Sequence, residues 1–198
     1  MSRLVFIVID GLDASGKSTQ AVMLRNFLES SKKSVFLRIH PSNDNFFGAK
    51  ARQFLYQHGK GAHLASAVFY MLDVIRSIMR YSWQKYDYII FVRYLMGTAY
   101  LPSPIHKIAY HFFALWVPKS NFMFFLDVSP QEAYKRILQS RKRREMFESL
   151  EKLGKIRQKA LALAFVGNWK ILDADKPVEH VHKEILETLK SEGSFEYS

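Results

Sequence analysis

An apolar run that leads straight into a glycine-bounded loop is the feature that most constrains the fold of this chain. Residues 4–9, LVFIVI, are continuous and rich in β-branched side chains, which is typical of a strand buried on both faces of a parallel sheet. Residues 11–16 form a turn with a glycine at each end, and residues 17–31 carry apolar side chains at helical spacing. We therefore predict a strand, a tight loop and a helix in direct succession.

The same alternation continues along the chain. Four further apolar runs predict strands over 35–39, 88–92, 121–127 and 169–172. Periodicity and capping signals predict helices over 49–56, 62–84, 104–116, from 130 onwards, over 149–166, and from a cap at Asp175 to about residue 190. Strands that alternate with helices favour a parallel sheet covered on both faces. We predict one α/β domain over 1–198, with three α/β/α layers and a five-stranded parallel sheet.

The loop between the first strand and the first helix contains a ligand-binding motif. Residues 11–18 match G-x-x-x-x-G-K-[ST], the phosphate-binding loop or P-loop. Its glycines allow successive N–H groups to point at one anion, and the following helix directs its positive end to the same place. Lys17 is predicted to reach the outer phosphates of a nucleotide, and Ser18 to offer its hydroxyl to Mg²⁺. The residues expected to bind ATP are Gly11, Leu12, Asp13, Ala14, Ser15, Gly16, Lys17, Ser18 and Thr19.

The amino-acid composition limits the kinds of ligand and partner that this protein can bind. The 198 residues contain 29 Lys and Arg against 18 Asp and Glu, a formal charge of +11, which indicates phosphates, nucleotides or nucleic acid, or simply a solvated basic surface. The absence of cysteine excludes disulfides and cysteine-based metal centres. Uncharged runs fall short of the roughly 20 residues of a membrane span, and the N-terminus does not resemble a signal peptide. We expect a cytoplasmic protein with no membrane partner.

Among P-loop proteins, the sequence favours the small nucleotide kinases. A GTPase would carry an N-K-x-D motif, and none is present; motor and AAA-type ATPases are usually larger. A nucleotide kinase needs one domain, an acceptor site and a mobile basic lid. The run Arg141-Lys142-Arg143-Arg144 supplies a short basic lid at about 140–148.

The motifs then resemble, in order and over nearly the whole chain, those of the thymidylate kinase family. Residues 10–20, DGLDASGKSTQ, are similar to that family's opening, and residues 92–94 with 97–100 resemble its Asp-Arg-Tyr motif and the segment after it. Residues 124–130, 141–148 and 169–174 resemble its fourth strand, lid and last strand. Apart from the P-loop each match is weak, and their order and spacing carry the resemblance.

Three positions depart from the family pattern. Val92 stands where the family has the Asp of Asp-Arg-Tyr, next to the metal and the reacting phosphates. His40 stands before Pro41 where the family shows Glu in Arg-Glu-Pro, and Asp73 of the long helix is followed by Val74 instead of Arg. The departures concern the acceptor nucleotide more than the ATP donor.

The resemblance also implies roles in acceptor binding. Asp13 is expected to accept a hydrogen bond from the acceptor's sugar hydroxyl, and Arg93 to hold its phosphate at the carboxyl end of the third strand. Arg38 and Arg76 are expected to contact the same nucleotide, and Phe69 and Tyr100 to pack beside its base. The alternative for the aromatic residues is the core. The histidines at 40, 63, 106 and 111 are interpreted as structural or surface residues.

Catalysis is expected to come from charge neutralisation by Lys17, Arg93 and the lid residues Arg141 and Arg144, with Arg143 as an alternative. With Val92 in place of the acid, Asp10 is the remaining candidate for binding metal-bound water or accepting a proton; the alternative is a residue that caps the strand end. The resemblance implies an ATP- and Mg²⁺-dependent kinase that acts on dTMP. The resemblance implies a homodimer, and the apolar helix 104–116 is either core or its dimer face.

Two rival functions remain open at this point. One is a kinase for another nucleotide or nucleoside. The other is a degenerate ATP-binding protein with a nucleic-acid partner, which the loss of the acid at Val92 favours and the intact Lys17, Ser18 and lid arginines oppose. Nucleotides are the expected ligands.

Overall fold

A five-stranded parallel sheet forms the centre of the fold in a computed structural model that describes residues 4–57, 60–81, 86–118, 120, 122–140 and 149–193. The strands are β1 (Val5–Gly11), β2 (Val35–Ile39), β3 (Tyr88–Val92), β4 (Phe122–Asp127) and β5 (Lys170–Asp173). Their order across the sheet is β2-β3-β1-β4-β5, and every pair is parallel. The predicted α/β class and sheet are confirmed.

Helices connect the strands and cover both faces of the sheet. They are α1 (Lys17–Ser30), α2 (Phe46–Leu55), α3 (Lys60–Tyr81), α4 (Ile105–Trp116), α5 (Pro130–Ser140), α6 (Leu150–Val166) and α7 (Val178–Ser191), with a 3₁₀ turn over Met96–Tyr100. Apolar runs produce the buried strands: all five residues of β3 are buried, and Ile7, Val8 and Ile9 of β1 are fully buried.

The strand order creates a crevice at the carboxyl end of β1. The chain passes from β1 to β2 at one edge, returns to β3 beside β1, and then crosses to β4 on the other side of β1. Ile9 therefore lies opposite Val92 in the register, and the loops after β1 and β3 meet. Ligands of open parallel sheets bind at such a point, where the strand order reverses.

Two predicted helix starts were wrong, and side-chain hydrogen bonds, one local and one long-range, explain them. α2 starts at Phe46 instead of residue 49, because the side chain of Asn45 accepts hydrogen bonds from the N–H groups of Phe47 at 2.9 Å and Gly48 at 3.1 Å. α7 begins at Val178 after Pro177, so Asp175 does not cap it. The carboxylate of Asp175 instead accepts the N–H of Ser129 at 3.0 Å, where β4 leads into α5.

α3 and α4 together expose a broad apolar surface. α3 exposes the apolar side chains of Leu64, Val68, Leu72 and Met79, and α4 exposes those of Ile105, Ile108, Phe112, Leu115 and Trp116. The outward side of α4 is therefore not core in the single chain. Nor does any helix in the described ranges combine the length and apolarity needed to cross a bilayer.

Candidate active site

The loop between β1 and α1 curls tightly, because its backbone adopts conformations that most residues avoid. Ala14 has a φ of 60° and Gly16 a φ of 87°, and Gly16 is the residue from which α1 starts. At Gly11, where φ is 150°, a Cβ atom would lie 2.4 Å from the carbonyl oxygen of Leu126. Only glycine allows β1 to pass this close to β4, so the sequence motif produces the predicted cradle.

The interior of this cradle suits a polyphosphate. Lys17 is buried, and its ammonium group points into the loop, where it donates a hydrogen bond to the carbonyl of Leu12. The hydroxyl of Ser15 is buried without a hydrogen-bond partner, a cost that a bound anion would remove. Ser18 and Thr19 are exposed in the first turn of α1, where a hydroxyl oxygen can serve Mg²⁺.

Asp10 connects the P-loop to the segment that follows β3. One carboxylate oxygen accepts the N–H of Gly11 at 2.9 Å, and the other accepts those of Tyr94 at 2.7 Å and Met96 at 3.2 Å. Burial raises the pKa of this carboxyl, although the backbone N–H of Tyr94 and the charge of Lys17 oppose the rise. Both oxygens thus bind backbone amides, and the predicted catalytic role of Asp10 stays a prediction.

Three of the predicted acceptor residues meet beside the P-loop. Arg93 Nη2 lies 2.6 Å from Asp13 Oδ1, and the hydroxyl of Tyr100 donates to Asp13 Oδ2 at 3.0 Å. Burial, followed by the charge of Asp13, raises the pKa of Tyr100 well above its usual range. The cavity here is lined by Asp13, Pro41, Ala51, Leu55, Ser66, Ala67, Tyr70, Arg93, Gly97 and Tyr100.

The other three predicted acceptor residues do not line this cavity. Arg38 forms a two-pronged ion pair with Asp44, at 2.7 and 2.8 Å. Phe69 stacks on Phe54 with ring centroids 5.7 Å apart, and Arg76 lines a separate groove between α2 and α3. Their assignment to the acceptor nucleotide stays a prediction that this arrangement does not support.

Tyr70 and Gly97 line the cavity and were missed from the sequence. Tyr70 donates its hydroxyl hydrogen to the carbonyl of Tyr94 at 2.9 Å, and a Cβ on Gly97 would lie 2.4 Å from its ring. A signal was present: α3 carries hydroxyl and carboxyl groups at i, i+4, i+7 and i+11, all buried, on its inner side. These residues are Ser66, Tyr70, Asp73 and Ser77.

Asp73, on the same inner side, fixes the loop that borders the cavity. Its carboxylate accepts the N–H of Ser42 at 2.6 Å, the hydroxyl of Ser42 at 2.7 Å and the amide of Asn45 at 2.7 Å. Asn45 in turn starts α2. Pro41 lies next to these contacts, and Arg52 donates to its carbonyl at 2.8 and 3.1 Å. One wall of the cavity is therefore held by buried polar groups.

Arg136 is a further residue of the site that sequence reasoning missed. It pairs with Glu132 at 2.9 Å and donates to the carbonyls of Ala174 at 3.1 Å and Ala14 at 3.4 Å. α5 is thereby connected to the P-loop. The spacing of Glu132 and Arg136, four residues apart on a helix, predicts their pairing, but the contact with Ala14 depends on the tertiary fold. The lid residues Arg141, Arg143 and Arg144 lie outside the described residues.

A P-loop at the carboxyl end of β1, with an arginine-bearing cavity on its β3 side, defines a nucleotide kinase of the P-loop class. The profile of one such family, thymidylate kinase, matches residues 9–185. This chain belongs to the thymidylate kinase family and is an ATP-dependent nucleotide kinase.

Thymidylate kinases from other organisms resemble this chain in sequence over almost the full length of both proteins. A probable thymidylate kinase of Thermococcus kodakarensis is 30% identical over 94% of this chain and 98% of its own length. A second, from Methanocaldococcus jannaschii, is 29% identical over 94% and 96%. Thymidylate kinase from Candida albicans has the same fold, with a TM-score of 0.71, 21% identity, and coverage of 98% of this chain and 94% of that one.

Proposed function

We propose that this protein transfers the γ-phosphoryl group of ATP to dTMP, giving ADP and dTDP. The observation that carries the proposal is the position of Arg93 and Asp13, which face a cavity directly beside the P-loop. A donor site and an acceptor site that share one loop hold two nucleotides close together. Positioning of this kind, with charge neutralisation, supplies most of the catalysis in phosphoryl transfer.

The donor is bound by the P-loop residues Gly11 to Thr19. Backbone N–H groups of the loop and the start of α1 hold the phosphates, and Lys17 turns from the carbonyl of Leu12 to the outer phosphate oxygens. Bound Mg²⁺ would be held by the hydroxyl of Ser18 and would neutralise phosphate charge. Asp10 fixes the loop that leads to the acceptor through its contacts with Tyr94 and Met96.

The acceptor is bound by Arg93, Asp13 and Tyr100. Arg93 offers a guanidinium group with two parallel donors to the acceptor phosphate. Asp13 accepts a hydrogen bond from the sugar hydroxyl, and Tyr100 holds the Asp13 carboxylate in place. Small side chains at Ala51 and Ala67 leave room for the base above Tyr70.

The lid supplies the remaining positive charge. Arg141 and Arg144 are proposed to approach the transferred phosphoryl group when the lid over 140–148 closes, and to exclude water from it. The P-loop contains no arginine of its own, so these side chains are the ones available for that task.

The proposal is tested by ADP release from ATP and Mg²⁺ with each nucleoside monophosphate in turn. We expect release that depends on dTMP, with dTDP as the second product, and at least tenfold lower kcat/KM for dCMP, dAMP and dGMP, about 1.4 kcal/mol in transition-state binding. ADP release without any acceptor, or a preference for another nucleotide, would refute dTMP as the acceptor. Lys17→Ala, which removes the phosphate-facing ammonium group, is the blank for contaminating kinases.

The protein is further proposed to work as a cytoplasmic homodimer of one domain over 1–198. α3 and α4 border a shared apolar groove that includes Val68, Ile105 and Phe113. Their exposed side chains continue this surface, and a second copy would cover it. Leu115→Asp changes a side chain that is 84% exposed. It should give a monomer in analytical ultracentrifugation if this face is the interface.

A further inference from the structure

The backbone conformation of Arg93 is unusual and needs support. Its φ is 61°, in the left-handed region that non-glycine residues rarely occupy. Such a conformation is strained and persists where neighbouring contacts hold it. The N–H of Arg93 donates to the carbonyl of Ile9 at 3.1 Å, which fixes the peptide unit before it.

The peptide unit after Arg93 is held at both ends by buried side chains. Its N–H, from Tyr94, donates to Asp10 at 2.7 Å. Its carbonyl oxygen, from Arg93, lies 3.1 Å from Nδ1 of His40. Asp10 belongs to β1 and His40 follows β2, so two strands on either side of β3 hold one peptide plane.

The partner of His40 determines which ring nitrogen carries the proton. A carbonyl oxygen only accepts hydrogen bonds, so Nδ1 is the donor. Burial lowers the pKa of His40 to about 4, and the nearby charge of Arg38 acts in the same direction against that of Asp73, so the ring is neutral at pH 7. Nε2 then carries the lone pair, in agreement with its burial without a partner.

His40 is itself firmly placed. It has no exposed surface, its ring meets the edge of Phe91 with centroids 5.1 Å apart, and its N–H donates to the carbonyl of Val92 at 3.0 Å. Arg93 Nη1 donates in return to the carbonyl of His40 at 3.4 Å. His40 does not line the acceptor cavity itself, but it contacts Arg93, which does.

We propose that His40 is a positioning residue, whose Nδ1–H holds the Arg93 carbonyl and thereby directs the Arg93 guanidinium into the acceptor site. The inference rests on the proposed function, in which Arg93 holds the acceptor phosphate. Without the His40 donor, the planar Arg93–Tyr94 peptide is still held by Asp10 but has lost its hydrogen bond at the carbonyl end. The left-handed conformation of Arg93 then loses one of its supports, and the guanidinium is directed less firmly. Donor-side binding changes less, because in the proposed function Lys17 and the backbone N–H groups of the P-loop hold the ATP phosphates.

Three substitutions separate this role from that of a side chain that only fills the core. His40→Phe keeps the ring and removes the donor. His40→Asn removes ring volume but keeps an N–H near the position of Nδ1, and His40→Gln places its N–H near the position of Nε2, away from Arg93. If His40 only fills the core, His40→Phe should be the mildest of the three substitutions. If His40 positions Arg93, His40→Asn should raise KM for dTMP the least, and His40→Phe and His40→Gln should raise it the most.

The test is steady-state kinetics on the full-length protein. We expect His40→Phe and His40→Gln to raise KM for dTMP about tenfold, with a smaller change in KM for ATP, and His40→Asn to stay within about threefold of the wild type. In an Arg93→Ala background, His40→Phe should add nothing further to KM for dTMP. If His40→Phe does not fold, as judged by circular dichroism, the comparison of Gln with Asn carries the same test.

Two outcomes overturn the inference. One is a wild-type KM for dTMP in His40→Phe or His40→Gln. The other is an increase of the same size in the presence and absence of Arg93. A failure of the proposed function looks different, since Arg93→Ala alone would then leave KM for dTMP unchanged whatever residue stands at position 40.

Discussion

Asp13 and Arg93 form an ion pair of 2.6 Å, although 80 residues separate them in the sequence. Asp13 lies in the P-loop and Arg93 directly after β3, so the pair joins the donor loop to the acceptor cavity. The side chain of Asp13 is 5% exposed and that of Arg93 27%, which leaves the guanidinium accessible to a second anion. In the proposed function, the acceptor phosphate would meet an arginine that the P-loop itself orients.

Substitution of Arg93 by lysine tests this arrangement. Arg93→Lys keeps the positive charge but loses the planar pair of donors. We expect KM for dTMP to rise about tenfold, with a smaller change in KM for ATP. Arg80→Lys, at the exposed end of α3, is the matched control and should match the wild type. An unchanged KM for dTMP in Arg93→Lys would remove Arg93 from the acceptor site.

Lys17→Ala tests the donor site. Lys17 is buried in the P-loop, and loss of its charge beside the transferred phosphoryl group should lower kcat by at least about a hundredfold. Lys183→Ala removes a lysine whose side chain is 74% exposed on α7 and should leave kcat unchanged. The measurement is ADP formation at saturating ATP and dTMP. Turnover near the wild-type rate in Lys17→Ala would refute the P-loop assignment.

Local patterns in the sequence predicted most of the fold. Apolar runs located all five strands, and the glycine motif located the nucleotide loop. Both features are determined by residues that are close together in the sequence, through burial in the strands and backbone conformation in the loop. The predicted start of α7 was wrong, since the carboxylate of Asp175 accepts a hydrogen bond from Ser129 across the sheet edge and does not cap the helix. Periodicity alone also left open whether the apolar side of α4 was buried, and five large side chains on it are exposed.

The site was predictable to a smaller extent, because long-range pairing assembles it. Asp13, Arg93 and Tyr100 lie together, and the roles in acceptor binding that the resemblance implies for them stay predictions. Arg38 instead pairs with Asp44, six residues later, a partner that no motif indicates. His40 was interpreted as structural, and its contact with the carbonyl of Arg93 depends on β2 and β3 lying side by side.

The lid arginines are expected to act on the transition state more than on substrate binding. Arg141→Ala or Arg144→Ala should lower kcat by at least about tenfold while changing KM for ATP less, because the charge they neutralise develops during transfer. Lys142→Ala, from the same basic run, is the control for a general loss of positive charge. If both arginine variants change KM for ATP and leave kcat unchanged, the lid arginines bind the donor and do not stabilise the transition state.

Gly97→Ala tests the position of Tyr70 beneath the cavity. The added Cβ would lie 2.4 Å from Cε1 of Tyr70, whose hydroxyl is tied to the carbonyl of Tyr94. The ring must move, so we expect a loss of about 1–3 kcal/mol in the free energy of unfolding and a higher KM for dTMP. Gly154→Ala has no atom nearer than 4.0 Å in α6 and should stabilise the protein by up to about 1 kcal/mol. Urea denaturation and acceptor kinetics together check both variants.

Val92→Asp restores the acid of the family motif, but the register argues against a gain in activity. Val92 is fully buried and lies opposite Ile9 and Ile39. Paired residues on neighbouring strands point their side chains to the same face of a parallel sheet. Asp10 follows Ile9 on β1, so its side chain points to the opposite face. The new carboxylate would therefore face aliphatic side chains. We expect kcat not to rise and the free energy of unfolding to fall by about 3–5 kcal/mol, the cost of an uncompensated buried charge.

Val92→Asn, of nearly the same shape but neutral, separates charge from polarity and should destabilise less. Burial raises the pKa of a carboxyl in the folded protein above the ~3.9 of an unfolded Asp. Between those two values the folded state binds more protons than the unfolded state, so stability falls as pH rises through this range and is regained as pH is lowered. The Asp variant, and not the Asn variant, should therefore approach the stability of the wild type between pH 7 and pH 4. A stably folded Val92→Asp variant with a higher kcat would show instead that this position reaches the metal and the phosphates.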